Sequence, residues 1–174
     1  MRVIAGRYGG RRLTAPRGAA TRPTADRVRE ALFSALGDVS GLTVLDLFAG
    51  SGALGIEALS RGAATATFVE RAQPALVALR ANLEALDIEA EVHRGDARAF
   101  ARNASGAGHS YDLVFLDPPY RDAERLAHEL DLGPLIAPGG RLVTESDRRA
   151  PLPVDLPTRF ERRYGDTLIR IHGH

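Results

Sequence analysis

The 174-residue sequence predicts an α/β domain in which a mostly parallel sheet carries helices on both faces, with a C-terminal antiparallel hairpin and a small N-terminal β-hairpin extension. Three observations predict it. Short apolar runs alternate with helix-like stretches of about 10 residues, the pattern of a parallel sheet covered on both sides. A glycine-rich loop follows the first of these runs. Two strand-like segments separated by Gly165-Asp166 close the chain, a spacing that supports a hairpin.

The elements follow in order. Arg2–Leu13, with Gly9-Gly10 at its centre, reads as two short strands around a turn. After Pro16, Gly18 and Pro23, a helix capped by Thr24 carries Val28, Ala31, Leu32, Ala35 and Leu36 on one stripe, and Gly37 and Gly41 end it. Thr43–Leu47 is the first strand, about 53–60 a helix, Thr65–Val69 the second strand, and Pro74–Leu86 a helix that tolerates Pro74 in its first turn. A weak strand at Glu91–His93 precedes a helix over about 97–102 and a flexible loop at Ser105–Gly108. Leu113–Leu116 is the clearest buried strand. A helix over about 123–130, a turn at Pro138-Gly139-Gly140 and a strand at Arg141–Thr144 follow, and Phe160–Tyr164 with Thr167–His172 complete a sheet of seven strands.

Composition sets limits on function. There is no Cys, which removes disulfides and thiolate metal sites and agrees with a reducing, cytoplasmic setting. The N-terminus is too basic for a signal peptide, and no run approaches the roughly 18 apolar residues that span a bilayer. The five histidines (His93, His109, His128, His172, His174) never take metal-ligand spacing, so no metal is expected and they read as surface or strand residues. The formal charge of +1 is unevenly spread: residues 1–30 hold eight arginines against Asp26 and Glu30. A basic arm on a mildly acidic body suits a polyanionic partner, although a solvated N-terminus would look the same. All 23 basic residues are Arg, which reads as genome composition.

The segment Asp46-Leu47-Phe48-Ala49-Gly50-Ser51-Gly52 lies where open α/β sheets bind ligands, at the carboxyl end of a strand. Gly50-Ser51-Gly52-Ala53-Leu54-Gly55 also satisfies the dinucleotide fingerprint, and Glu70, 20 residues beyond Gly50, would meet ribose hydroxyls with either cofactor. Asp46 helps to separate them, since a carboxylate there repels a pyrophosphate and attracts an ammonium such as that of a methionine moiety. Charge therefore favours S-adenosylmethionine over NAD. The segment resembles the first motif of class I methyltransferases, which are Rossmann-like. That resemblance implies a cofactor site of Asp46, Phe48, Ala49, Gly50, Ser51, Gly52, Glu70, Arg71, Asp96 and Ala97. In it Glu70 takes the ribose and Asp96 the adenine amino group. Asp96 also suits a helix N-cap, and the two roles are compatible.

Asp117-Pro118-Pro119-Tyr120 directly follows the most apolar strand. Consecutive prolines lock an extended, rigid turn that can aim a carbonyl and a carboxylate at one target. Tyr120 offers a flat face for stacking a base, worth about 1–3 kcal/mol. The tetrapeptide resembles the signature of methyltransferases acting on planar sp² nitrogen. It implies that Asp117 and the Pro118 carbonyl accept both hydrogens of an exocyclic amine, with Pro119 and Tyr120 completing the catalytic set.

The flanking segments narrow the substrate. Arg2–Gly6, Gly9–Leu13, Arg22-Pro23-Thr24, Arg27–Phe33 and Tyr164–Thr167 are similar to the RsmD family of small bacterial 16S rRNA guanine-N2 methyltransferases. This resemblance runs from about residue 2 to 172. It implies a guanine-N2 methyltransferase acting on 16S rRNA within the small ribosomal subunit, with ribosomal proteins as further docking partners. A basic arm over residues 1–22 would bind RNA and residues 23–174 would form the methyltransferase domain. Arg2, Arg7, Arg11 and Arg12 would grip phosphates, while Arg22, Thr24 and Arg27 would border the pocket for the flipped base. The chain is expected to be a monomer.

Alternatives remain: methylation of adenine-N6 in DNA or RNA or of a protein glutamine, an NAD(P)-dependent oxidoreductase, and a non-catalytic RNA-binding protein on the same scaffold. Deletion of residues 1–20 is expected to spare cofactor binding. Glu57 reads as an exposed helical charge, Ser51 as a loop residue without nucleophilic partners, and Tyr164 as packing within the hairpin. Glu145–Arg149 has no assignable role.

Overall fold

The computed structural model describes residues 1–16, 26–119 and 129–173. Its sheet is built from β1 (Thr43–Leu47), β2 (Thr65–Glu70), β3 (Glu91–Arg94), β4 (Tyr111–Leu116), β5 (Ile136–Asp147), β6 (Thr158–Tyr164) and β7 (Thr167–His172). The strand order is β3-β2-β1-β4-β5-β7-β6. The five strands from β3 to β5 are parallel, and β7 runs antiparallel between β5 and β6. The chain steps outward from β1 to β3, then returns to lay β4 on the other side of β1. The crevice above β1 and β4 is therefore the switch point at which such sheets bind ligands.

Strand alternation sorts the core into two layers. Val44, Phe68, Leu113, Phe115, Val143 and Ile169 face α1 (Asp26–Leu36), α2 (Ala53–Ser60) and α3 (Gln73–Ala85). Leu45, Leu47, Val69, Val114, Leu116 and Leu142 face α4 (Ala97–Gly106). This is the expected architecture: alternation predicts the parallel sheet, the Gly165-Asp166 spacing the antiparallel hairpin, and the resemblance the Rossmann-like class.

Two boundaries differ from the sequence reading. Helix α4 runs on through Ser105 to Gly106, because Ala101 and Ala104 bury on its inner face and the turn closes only with Ala107 N–H on Asn103 O at 3.0 Å. Strand β5 starts at Ile136, and Pro138-Gly139-Gly140 lies inside it as an irregularity between the Tyr111–Ile136 and Leu113–Arg141 pairings. The expected helix over 123–130 lies outside the described residues except for Glu129 and Leu130.

The N-terminal segment folds back as a hairpin with a single bridge, Arg2 to Arg12, in place of two full strands. Val3 N–H donates to Arg11 O, Gly10 N–H to Val3 O (both 2.9 Å) and Leu13 N–H to Met1 O (3.0 Å). Val3 and Leu13 are buried against α2 and α3. Glu57 is not an exposed charge: it is 1% exposed, and its carboxylate accepts from Ile4 N (2.7 Å) and Ala5 N (3.1 Å) while pairing with Arg61 Nε at 2.7 Å. Helix α2 is covered on both sides, so its periodicity could not reveal a partner so distant in the chain. Gly6, at φ +81°, lies so close that a Cβ there would stand 1.8 Å from the Ser60 carbonyl oxygen.

Candidate active site

The parallel registers bring the sequence-predicted residues to one edge of the sheet. Asp46 pairs in register with Phe68 and Phe115, Glu70 with Arg94, and Leu116 with Thr144. Asp46, Glu70, Asp96, Asp117 and Glu145 therefore stand at the carboxyl ends of β1 to β5. Glu145 went unassigned in the sequence because nothing local marks it; only the β4–β5 register sets it beside Asp117.

Each carboxylate has a local task. Asp46 is 2% exposed, and its Oδ2 accepts from Gly55 N at 3.0 Å, tying the first turn of α2 to the end of β1. Glu70 accepts from Gly50 N at 2.9 Å and, through Oε1, from Arg71 N (2.8 Å) and Ala72 N (2.7 Å). It thus shapes the glycine loop and leaves about one of its four lone-pair sites for a hydroxyl donor. Asp96 is the N-cap of α4, accepting from Arg98 N and Ala99 N, and it also accepts from the Arg98 guanidinium.

The loop between β1 and α2 is strained and tight. Phe48 adopts φ 69°, uncommon for a residue with a side chain, and the amides of Phe48 and Ala49 both donate to Val69 O at 3.0 Å. At Gly52, φ +82°, a Cβ would meet Leu79 Cδ1 at 2.4 Å, so only glycine lets the loop settle on α3. Ala97, Ala49 and Ser51 are buried beside these turns, and Arg71 is exposed.

Electrostatics separate the carboxylates. Burial raises Asp46 to a pKa of about 7, aided by the nearby charge of Glu70 and opposed by the Gly55 hydrogen bond. Burial, with Glu145 and then Asp46 as like charges, also holds Asp117 well above the ordinary carboxylate range. Asp96 is drawn down to about 2, chiefly by its Arg98 side-chain hydrogen bond. The central crevice is thus rich in carboxylates that repel one another, which favours cationic or hydrogen-donating ligands. Pro118 is buried and Pro119 exposed; Tyr120 lies outside the described residues, as do Arg22 and Thr24.

The arginines of the arm divide. Arg2 pairs with Asp26 at the start of α1 (3.3 Å), on the carboxyl edge, and Arg12 lies opposite it. Arg27, on the first turn of α1, lines an open groove with Glu30, Ser34, Phe160 and Arg162. Arg7 and Arg11 reach the far edge: Arg7 N–H bonds Ser60 O at the end of α2, and Arg11 Nη2 bonds Ala85 O at the end of α3. Among the described residues no group of three or more His, Asp or Glu could hold a metal ion, and no helix is long and apolar enough to cross a membrane.

Residues 1–172 match the family described as Conserved hypothetical protein 95. The chain is 39% identical over 180 residues to YlbH of Bacillus subtilis, covering 99% of this chain and 98% of that protein. It is 44% identical over 126 residues to Ribosomal RNA small subunit methyltransferase D of Escherichia coli, a match spanning 70% of this chain and 61% of the relative. Among solved structures, hypothetical protein TTHA0928 of Thermus thermophilus superimposes with a TM-score of 0.86 at 31% identity, covering 99% of this chain and 98% of that one.

Proposed function

The chain belongs to the Conserved hypothetical protein 95 family, the RsmD family whose resemblance the flanking segments carry, and we propose that it methylates the exocyclic N2 amine of a guanine in 16S rRNA with S-adenosylmethionine. The observation that carries this reading is the shared carboxyl edge. The Asp117-Pro118 turn stands beside Asp46 and Glu145, one strand from the glycine loop. The relative from Escherichia coli, named a small-subunit rRNA methyltransferase, supports the substrate class.

The residues fit the cofactor. Asp46 and Glu70 put negative charge where an ammonium and a ribose would lie, and Asp96 stands at the next strand end for an adenine amine. When bound, S-adenosylmethionine supplies a methyl group made electrophilic by the adjoining sulfonium. The protein's part is to aim the amine. The Asp117 carboxylate and the Pro118 carbonyl accept its two hydrogens, which draws the nitrogen lone pair out of conjugation. Nitrogen so held would take the methyl group that the donor supplies, with the thioether as leaving group. The surplus proton leaves to Asp117 or to water. Positioning and electrostatics supply most of such a rate. Asp46 argues against a pyrophosphate in the same loop, and hence against the oxidoreductase alternative.

RNA docking falls to Arg2, Arg12 and Arg27 on the carboxyl edge; Arg22, Thr24 and Tyr120, outside the described residues, keep the roles their motifs imply. Arg7 and Arg11 lie too far from that edge to touch the reacting base and would serve flanking phosphates. The natural substrate is the rRNA within the small subunit, engaged by a monomer, with ribosomal proteins completing the docking surface. The test is transfer of labelled methyl to unmodified small subunits followed by nucleoside analysis. N2-methylguanosine, absent with Asp117→Ala, is the expected product. Label in another nucleoside would overturn the guanine assignment, and label in protein would overturn the RNA assignment.

A further inference from the structure

Asn82 has no place in the chemistry above, yet its surroundings are unusual. It sits on α3, 2% exposed. Its Oδ1 accepts from Thr14 N at 2.7 Å; its Nδ2 donates to Thr14 O at 3.0 Å and to Ser51 O at 2.9 Å. One amide therefore holds both backbone groups of a residue at the base of the N-terminal hairpin and a carbonyl in the middle of the glycine loop. Met1 lies on the same loop, with its Sδ 4.0 Å from Ser51 Oγ. The rest of the hairpin is fastened to α2, the helix that the loop begins. Glu57 accepts from Ile4 and Ala5. Ser60 Oγ accepts from Tyr8 N at 3.0 Å and donates to Ala5 O at 2.5 Å. Arg29, also buried, donates through Nη2 to the Arg2 carbonyl.

We propose that Asn82 is a positioning residue that joins the hairpin to the cofactor loop, so that ordering either one orders the other. The reasoning is thermodynamic. Ser51 O and Thr14 share one side chain with no spare donor, so a hairpin that detaches at Thr14 frees the amide to rotate and leaves the loop carbonyl unheld. A ligand bound on the loop opposes that opening, and by reciprocity a polyanion that settles the hairpin tightens the loop. The hairpin is thus part of the cofactor site as well as an arm for RNA. On this proposal, and against the expectation from sequence, removing residues 1–20 weakens cofactor binding. The proposal rests on the cofactor reading above.

Hydrogen exchange on the full chain, with and without S-adenosylhomocysteine, tests it without RNA. At ligand one hundred times its Kd, the wild-type glycine loop (residues 48–55) slows by up to about 100-fold, and residues 1–14 slow with it by about tenfold or more. In Asn82→Ala the loop still slows but the hairpin does not, and S-adenosylhomocysteine binds about fivefold more weakly for the lost hydrogen bond. Asn82→Leu, which fills the space without polar atoms, behaves alike. A merely structural Asn82 would lower Tm in both variants and keep the transfer of protection to the hairpin. Slowing of the loop without the hairpin in wild type overturns this proposal alone, as does transfer that persists in both variants. No slowing of the loop overturns the cofactor reading and the proposal with it. The wild-type result stands whatever the variants' stability.

Discussion

The carboxyl edge of the sheet and the N-terminal hairpin handle charge in opposite ways. At the edge, Asp46 is buried and Asp117 largely so, and the neighbouring charges that act on them are other carboxylates, so both stay easy to protonate. In the hairpin the arginines remain exposed while backbone groups do the anchoring, onto Glu57, Ser60 and Asn82. The difference suits the two ligands of the proposed function. A small cation would meet charge already stripped of water, where an electrostatic interaction is strong. A polyanion would meet solvated charge that releases counterions on contact.

The sharpest way to break this comparison is at the edge. Asp117→Ala is expected to lower kcat by about 10²–10³-fold, the cost of removing one group that organises charge in a transition state, with RNA affinity unchanged in filter binding. Next in size is the hairpin's anchor. Glu57→Ala breaks a buried ion pair and strands two backbone N–H groups, at a cost of about 3 kcal/mol, read as a lowered urea midpoint with an unchanged m-value. An exposed Glu57 would have cost almost nothing.

Proton linkage follows. An ammonium binds the ionised form of Asp46, so affinity for S-adenosylhomocysteine, measured by calorimetry, should fall by up to about tenfold per pH unit below about 7 as that form is lost. The same shift works against the ligand-free fold. Asp46 holds a proton in the folded chain that the unfolded chain releases above its ordinary pKa of 3.8. Its contribution to stability is therefore present below that value and is lost as pH rises towards 7. Smallest are the docking effects. Arg2→Ala and Arg12→Ala should each weaken RNA binding by about fivefold and reduce the salt slope by about 1, whereas Arg7→Ala, which would lose only a flanking phosphate contact, should weaken it by a smaller factor, about twofold.

Legibility followed distance along the chain. The glycine loop, Glu70, Asp96 and Asp117 were readable because each lies at a strand end and is flagged by its immediate neighbours: glycines, a helix start or a pair of prolines. Asp96 fulfils the N-cap reading directly. Glu57 and Asn82 were not readable, since their partners in the hairpin lie 52 to 68 residues away and only tertiary packing introduces them. Glu145 needed the β4–β5 register. The parallel sheet was legible from alternation, but its strand order was not, and neither was the start of β5, because Pro138-Gly139-Gly140 reads locally as a turn and is absorbed in the sheet as an irregularity. His172 is a strand residue as expected, buried between Thr144 and Thr158, whose hydroxyls lie 3.1 and 3.2 Å from its ring nitrogens.

If chemistry belongs to the edge and docking to the hairpin, one steady-state measurement separates them. Methyl transfer to unmodified small subunits is followed as a function of subunit concentration for wild type, Asp117→Ala and the Arg2→Ala/Arg12→Ala double variant. Asp117→Ala is expected to lose kcat at wild-type KM and the double variant to raise KM at wild-type kcat. Wild-type turnover by Asp117→Ala would contradict the role proposed for the edge.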